Sequence, residues 1–206
     1  MIKNVIFDWS GVVKDAVNAQ LWKVNKIFEI YGVKPIPLEE FKENFSLPYM
    51  PFYNKYLPNL TKEEQNPIYT ELSSRADCPK SPAFPGIIDL IKKLKEENHY
   101  LAIVSTDEPE TLLKEMKEYG LENIFDDIFT NIYHKEESVS DLIIKRNLDK
   151  DNTCFIGDSN HELEVAKAMG IKSVAVTWGF TSEDRLKTYN PDFVAHNVKE
   201  LEEILL

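Results

Sequence analysis

The feature that most limits what this chain can become is a series of short, uninterrupted apolar runs, each stopping at a polar residue or a glycine. They are Val5-Ile6-Phe7, Leu101-Ala102-Ile103-Val104, Ile128-Phe129-Thr130, Cys154-Phe155-Ile156 and Ser173-Val174-Ala175-Val176, with a weaker Phe193-Val194-Ala195 at the end. Continuous rather than alternating apolarity fits strands buried on both faces. Amphipathic stretches at helical spacing separate most of them, among them 87–94, 111–116, 139–145 and 162–169. Gly120 and Gly170 follow two of these stretches, as helix-ending glycines do. Strand and helix in alternation predict an α/β fold, a Rossmann-like parallel sheet with helices on both faces.

One region breaks the alternation. Between the first run and Ile87 the pattern is helical, with candidates at 16–31 and 38–45, an aromatic stretch at 49–56 and a further segment at 61–76. Prolines 35, 37, 48, 51, 58 and 67 punctuate it, and Pro79, Pro82 and Pro85 mark the return to the main pattern. The expected organisation is a catalytic α/β core of residues 1–14 and 82–206, with an all-helical cap domain of residues 15–81 inserted after strand 1. The cap is expected to cover the C-terminal edge of the sheet.

At 206 residues the chain is long enough to bury a substantial core. Its 35 acidic residues outnumber 24 basic ones for a net charge of -11, which sets it against a phosphate backbone and leaves nucleic acid out as a main partner. Cys154 falls inside an apolar run, so the two cysteines read as reduced thiols in a reducing compartment. The N-terminus passes straight into an apolar strand, and no run of about 18 apolar residues occurs. A cytoplasmic protein with no membrane partner is the expectation.

In an open parallel sheet, ligands bind at the carboxyl ends of the strands. The residues there are Asp8-Trp9-Ser10-Gly11 after the first strand and Ser105-Thr106-Asp107 after the second. Lys135 comes a few residues after the third, and Gly157-Asp158-Ser159 after the fourth, with Glu162 one helical turn on. Singly, each has an ordinary structural explanation: a turn cap at Asp8, a helix N-cap at Ser105-Thr106-Asp107, a solvated lysine, a turn at Gly157. Together they put a carboxylate nucleophile, a hydroxyl, a cation and two further acids at one rim. Moving a phosphoryl group mainly requires positioning and charge neutralisation. Lys135 would offset the charge of Asp8 and of a phosphate, and Ser105 would hydrogen-bond a phosphoryl oxygen. Converging carboxylates call for a hard divalent ion, and oxygen ligands point to Mg²⁺.

Phe7-Asp8-Trp9-Ser10-Gly11-Val12-Val13, Val104-Ser105-Thr106, Lys135 and Gly157-Asp158-Ser159-Asn160-His161-Glu162 resemble the four motifs of the haloacid dehalogenase superfamily. The helical insert is similar to that superfamily's cap. The resemblance implies a phosphatase-like hydrolase in which Asp8 attacks phosphorus to form an aspartyl-phosphate, assisted by Ser105 and Lys135. It implies Mg²⁺ on Asp8, the Ser10 backbone carbonyl and Asp158, with Glu162 nearby, and a small phosphorylated substrate touched by Ser10, Gly11, Thr106 and Tyr49.

Ser10 departs from the family pattern. Phosphatases of this superfamily carry a second aspartate there, which protonates the leaving group and then deprotonates the attacking water. A serine hydroxyl does neither well near neutral pH, and general acid–base help contributes about 10²–10⁴-fold, so a slow phosphomonoesterase is expected. Two alternatives follow. Phosphonoacetaldehyde hydrolases carry Asp-Trp-Ala-Gly, similar to Asp8-Trp9-Ser10-Gly11, and need a cap lysine, for which Lys42 and Lys55 are the nearest choices. The other is a retired scaffold that binds a phospho-ligand or a protein. Glu136 and Glu137 beside Lys135 are expected to weaken its pull on phosphate. Tyr49, Phe52, Tyr53 and Tyr56 either line a substrate pocket or pack the cap.

Overall fold

In the computed structural model, which describes residues 1–206, all six apolar runs are strands. They are β1 (Asn4–Phe7), β2 (Tyr100–Val104), β3 (Asp127–Phe129), β4 (Thr153–Gly157), β5 (Lys172–Val176) and β6 (Phe193–Ala195). They form one sheet in the order β3-β2-β1-β4-β5-β6, and every neighbouring pair is parallel. Four helices follow β1: α1 (Val17–Ile30), α2 (Leu38–Asn44), α3 (Met50–Tyr56) and α4 (Lys62–Ser74). Six more alternate with the remaining strands: α5 (Ile87–Glu96), α6 (Pro109–Glu118), α7 (Lys135–Arg146), α8 (Asn160–Met169), α9 (Glu183–Thr188) and α10 (Val198–Leu205).

The unbroken apolarity of the strands has a direct cause. Val5 and Phe7 of β1, with Cys154 and Ile156 of β4, enter a cluster of 23 buried residues that includes Ile87 and Ile91 of α5, Leu112 of α6 and Leu201 of α10. Ile6 and Phe155, pointing the other way, enter a second cluster with Val139 and Leu142 of α7 and Val165 of α8. Both faces of the sheet are covered, so the central strand positions are apolar and the polar ones, such as Asn4, Asp127 and Lys172, fall at strand starts.

Two local expectations need correction. Helix α7 starts at Lys135 rather than Val139, because Glu136 and Glu137 fill its first turn, where acids suit the helix dipole. Ser105-Thr106-Asp107 is not a helix cap: α6 starts at Pro109 after Glu108, with no side-chain cap bond. Helices α9 and α10 lie outside the stretches picked out by pattern. They are capped by Ser182 and Asn197, whose side chains accept from the Arg185 and Glu200 amides.

Helices α1 to α4 have an apolar cluster of their own, 12 buried residues between Val17 and Leu72 centred on Phe28, Phe41, Phe52 and Tyr53. The outgoing and returning chains pair beside the sheet. The Asp15 amide donates to Pro82 O at 2.7 Å and the Phe84 amide to Val13 O at 2.9 Å.

Candidate active site

The sheet order reverses direction between β1 and β4, which opens a crevice at the strand carboxyl ends. Phe7 lies opposite Ile156 in register, and the Asp8 amide extends that ladder by donating to Ile156 O at 3.0 Å. Asp8 and Asp158, one residue past the ends of neighbouring strands, therefore meet. Ser105, fully buried, ends β2 on the other side of Asp8.

Lys135 reaches in from the first position of α7. Its Nζ lies 2.7 Å from Asp8 Oδ1 and 2.6 Å from Glu162 Oε1, and its side chain is 1% exposed. Ser159 caps α8 by accepting from the His161 amide and donates to Glu162 Oε2 at 2.7 Å. Glu136 and Glu137 are exposed, so the acid that competes with Asp8 for Lys135 is Glu162 instead.

Carboxylate oxygens of Asp8, Asp158 and Glu162 all lie within 4.8 Å of one another, and all three residues are buried. Burial pushes the Asp8 carboxyl up to about 7 against the pull of Lys135, with Glu162 and Asp107 adding to the rise. Burial, followed by the charges of Asp8 and Glu162, holds Asp158 well above the usual carboxylate range. In Glu162 burial raises the carboxyl, but the charge and hydrogen bond of Lys135, with His161 and Ser159, lower it overall. Lys135 is itself raised, because Asp8 and Glu162 together overcome its own desolvation. One ammonium does not balance three buried carboxylates. This all-oxygen donor set fits a hard divalent cation of the Mg²⁺ type.

Two glycines make room for Asp158. A Cβ on Gly11, whose φ is +92°, would fall 2.2 Å from Asp158 Oδ2, and one on Gly179 would fall 2.1 Å from the same oxygen. The next residue, Phe180, donates its amide to Asp158 Oδ2 at 2.5 Å. Gly179 and Phe180 escaped the sequence reading. The available signal was a glycine in the loop after β5, at the same rim.

On the other flank, Ser10 Oγ donates to Asp107 at 2.9 Å from Oδ2 and 3.1 Å from Oδ1. Ser105 Oγ donates to Asp107 Oδ2 at 2.8 Å and accepts from the Asp107 amide. Lys14 Nζ stands 3.8 Å from Asp107 Oδ1 and 2.6 Å from Glu115 Oε1. Thr106 is half-buried between these partners. Trp9 is core: it is fully buried, stacked on Tyr119, and donates Nε1 to Glu115 Oε2.

The aromatics of residues 49–56 mostly pack among helices α1 to α4. Phe52 and Tyr53 are buried in the cluster those helices form, Tyr56 donates to Glu40 Oε1 at 2.9 Å, and Tyr49 donates to Asn66 Oδ1 at 2.8 Å. Tyr49 is thus engaged within the helical insert and makes no hydrogen bond to the Asp8 cluster. Lys42 donates to Thr177 O at 3.2 Å, and Lys55 bonds Asn44.

A family model described as haloacid dehalogenase-like hydrolase matches residues 5–176, a span running from β1 through β5. The chain belongs to this family. A phosphoglycolate phosphatase from Synechococcus elongatus is 23% identical over 201 residues, covering 96% of this chain and 94% of its own. Pyrophosphatase PpaX from Halalkalibacterium halodurans is 24% identical over 209 residues, covering 99% and 97%. A haloacid dehalogenase-like hydrolase from Streptococcus pneumoniae superposes with a TM-score of 0.75 at 23% identity, over 100% of this chain and 99% of that one. A haloacid dehalogenase-like protein from Agrobacterium tumefaciens gives 0.81 at 19% identity, over 100% and 98%. These likenesses make this family member's α/β core and helical insert an arrangement shared with known structures. No helix is long and apolar enough to cross a membrane.

Proposed function

We propose that this family member is a cytoplasmic, Mg²⁺-dependent phosphohydrolase acting on a small phosphorylated substrate through an aspartyl-phosphate on Asp8. The observation that carries this is the buried cluster in which Lys135 touches the Asp8 and Glu162 carboxylates beside Asp158. Relatives named as a phosphoglycolate phosphatase and a pyrophosphatase support it. A Mg²⁺ ion held by Asp8, Asp158, Glu162 and the Ser10 carbonyl would neutralise charge on the phosphoryl oxygens.

In this scheme Asp8 attacks phosphorus and the substrate oxygen departs. Water then hydrolyses the aspartyl-phosphate and returns Asp8 to its carboxylate. Lys135 favours the ionised form of Asp8 and offsets the incoming phosphate, while Ser105 lends its hydroxyl to a phosphoryl oxygen. Ser10, Gly11, Thr106 and Tyr49 contact the substrate, and residues 15–81 act as a cap over a core of 1–14 and 82–206. An intact cluster at the switch point speaks against a retired scaffold. The test is hydrolysis of 4-nitrophenyl phosphate with and without Mg²⁺, wild type beside Asp8→Asn. Metal-dependent turnover should vanish in the variant, and turnover that persists there removes the aspartyl-phosphate.

One observation favours a second function, cleavage of a carbonyl phosphonate. Lys23 on α1 donates to the Tyr69 hydroxyl at 2.6 Å, and burial, with Lys14 nearby, lowers its amine to about 8. Such an amine can attack a carbonyl, expelling water to form an imine. Borohydride added with a carbonyl phosphonate should then fix a covalent adduct on Lys23, and an unmodified Lys23 discards this alternative.

A further inference from the structure

The helical insert carries one lysine to the flank of the active site without giving it an acid. Lys23 lies half-buried on α1, the face that meets α4. Its Nζ donates to the Tyr69 hydroxyl at 2.6 Å, reaches Ser73 Oγ only at 3.5 Å, and forms no ion pair. Burial lowers its amine, and the neighbouring groups that act on it are the Cys78 thiol, Lys14 and Asp107. Asp107 is the carboxylate bonded to Ser10, so Lys23 looks onto the rim beside Asp8. The chain has 35 acidic residues against 24 basic ones, yet none is set against this ammonium. Asp107 itself is already engaged by Ser10, Ser105 and Lys14.

The polar groups around Lys23 leave donors open rather than acceptors. Tyr69 gives its hydroxyl proton to Gln20 Oε1 at 2.6 Å, so its oxygen is turned to accept from Lys23. With Oε1 taken, Gln20 presents its amide N–H₂, which makes no hydrogen bond within the protein. An ammonium has three donors, and only one of those on Lys23 is well used. A desolvated ammonium is costly unless it is paired, and its strong partners are carboxylate and phosphate oxygens.

We propose that Lys23, oriented by Tyr69 and assisted by Gln20, is a specificity-determining residue that binds a second anionic group, a carboxylate or a second phosphate, on the departing part of the substrate. This rests on the phosphohydrolase function proposed above, and not on the carbonyl chemistry, which needs Lys23 uncharged. The phosphoryl group belongs at Asp8, so the part of the substrate that reaches α1 and α4 is the part that leaves. Lys14 adds positive charge on the same side, and Asp107 stays occupied by its own partners. An uncharged leaving group would find the phosphoryl site complete and Lys23 unanswered.

The test uses phosphate monoesters of glycolate, 3-hydroxypropionate and 4-hydroxybutyrate, each beside the alkyl phosphate of the same length, and the bisphosphates of the matching diols. At one chain length the wild type should favour the doubly anionic ester by about 10- to 100-fold in kcat/KM, the value of a hydrogen bond to a charged group, with the difference carried by KM. Whether the carboxylates or the bisphosphates show the margin names the anion. K23M should lose the margin while cleaving the alkyl phosphates as the wild type does, and K23R should recover part of it. K23Q reads the same loss should K23M fail to fold, and Y69F should narrow the margin with the charge still present. A wild type that shows no margin in either series, or lysine variants that lose the same factor on charged and alkyl esters, overturns the proposal and leaves Lys23 a packing residue between α1 and α4. Alkyl phosphate turnover that survives in Asp8→Asn instead removes the aspartyl-phosphate reading, and the subsite falls with it.

Discussion

Lys135 Nζ lies 2.6 Å from Glu162 Oε1, and both side chains are only 1% exposed. The same ammonium holds Asp8, so Lys135 pairs with two of the three buried acids of the cluster. Removing one partner of a buried ion pair costs about 3–5 kcal/mol, because the charge left behind is desolvated and unpaired. In a chelator, Lys135→Met should lose stability on that scale. If the carboxylates form a divalent-cation site, Mg²⁺ should stabilise the variant more than the wild type, by on the order of 1 kcal/mol, since it replaces the missing charge. Urea unfolding with and without Mg²⁺ measures this, and a loss identical in both conditions counts against the cation site.

A second prediction concerns the floor of that site. An added Cβ at Gly179 would meet Asp158 Oδ2 at 2.1 Å and Asp158 Cβ at 2.2 Å, and the Cβ cannot swing aside as a side-chain end could. Gly179→Ala must displace either the loop or the carboxylate. Overpacking of this kind costs about 1–3 kcal/mol, and a moved Asp158 should raise the Mg²⁺ concentration for half-maximal activity by about tenfold or more. Titrating hydrolysis with Mg²⁺ gives the answer, and an unchanged midpoint would show that Asp158 is not held by this contact.

How much of this was legible in the sequence depended on whether a residue's position follows from its strand alone. Asp8 and Asp158 were readable because, in a parallel sheet, the residue after every buried run faces the same edge. The reversal between β1 and β4 then brings those two together. The pairing of Ser10 with Asp107 was not, since the two are 97 residues apart and each looks like an ordinary turn residue. Gly179 was hidden for a similar reason: the Asp158 carboxylate that forbids its side chain comes from a different loop. Phe52 and Tyr53 sat at a spacing that serves a pocket or a core equally, and only the packing of α1 to α4 assigns them to a core.

Asp127, at the start of β3, predicts a pH effect remote from the active site. Arg146 Nε donates to its Oδ2 at 2.6 Å and the Tyr100 hydroxyl donates to the same oxygen at 2.5 Å. The Arg146 bond, helped by Tyr100 and opposed by burial, lowers the Asp127 carboxyl below its ordinary 3.8. A depressed carboxyl contributes stability that is fully present above the unfolded value and is lost as pH falls through the folded one. The stability gap between wild type and Asp127→Asn should therefore hold steady near about 1 kcal/mol above pH 4, a hydrogen-bond value discounted for solvent screening. Below pH 4 it should shrink toward zero. Thermal melts across that range check the sign, and a gap that widens on acidification would reverse it.

The last prediction separates the placement of α2 from chemistry. Arg185 of α9 donates Nη1 to Lys42 O at 2.9 Å and to Phe45 O at 2.7 Å, closing the end of α2 onto the core. Lys42 answers by donating Nζ to Thr177 O, and the Phe180 ring packs against Phe41 and Phe45. The loop that ties down α2 is therefore the same loop whose Phe180 amide holds Asp158. Hydrogen bonds from a charged donor are worth about 1.5–3 kcal/mol when desolvated, and less where water can replace them. Arg185→Ala should loosen the α2 end and raise KM by about tenfold, equivalent to ~1.4 kcal/mol, with kcat falling by a smaller factor because Phe180 still donates to Asp158. Steady-state kinetics with a small phosphate ester distinguishes the two. A KM that stays at the wild-type value, with only the melting temperature lowered, would mean that Arg185 staples the fold and has no part in seating the substrate.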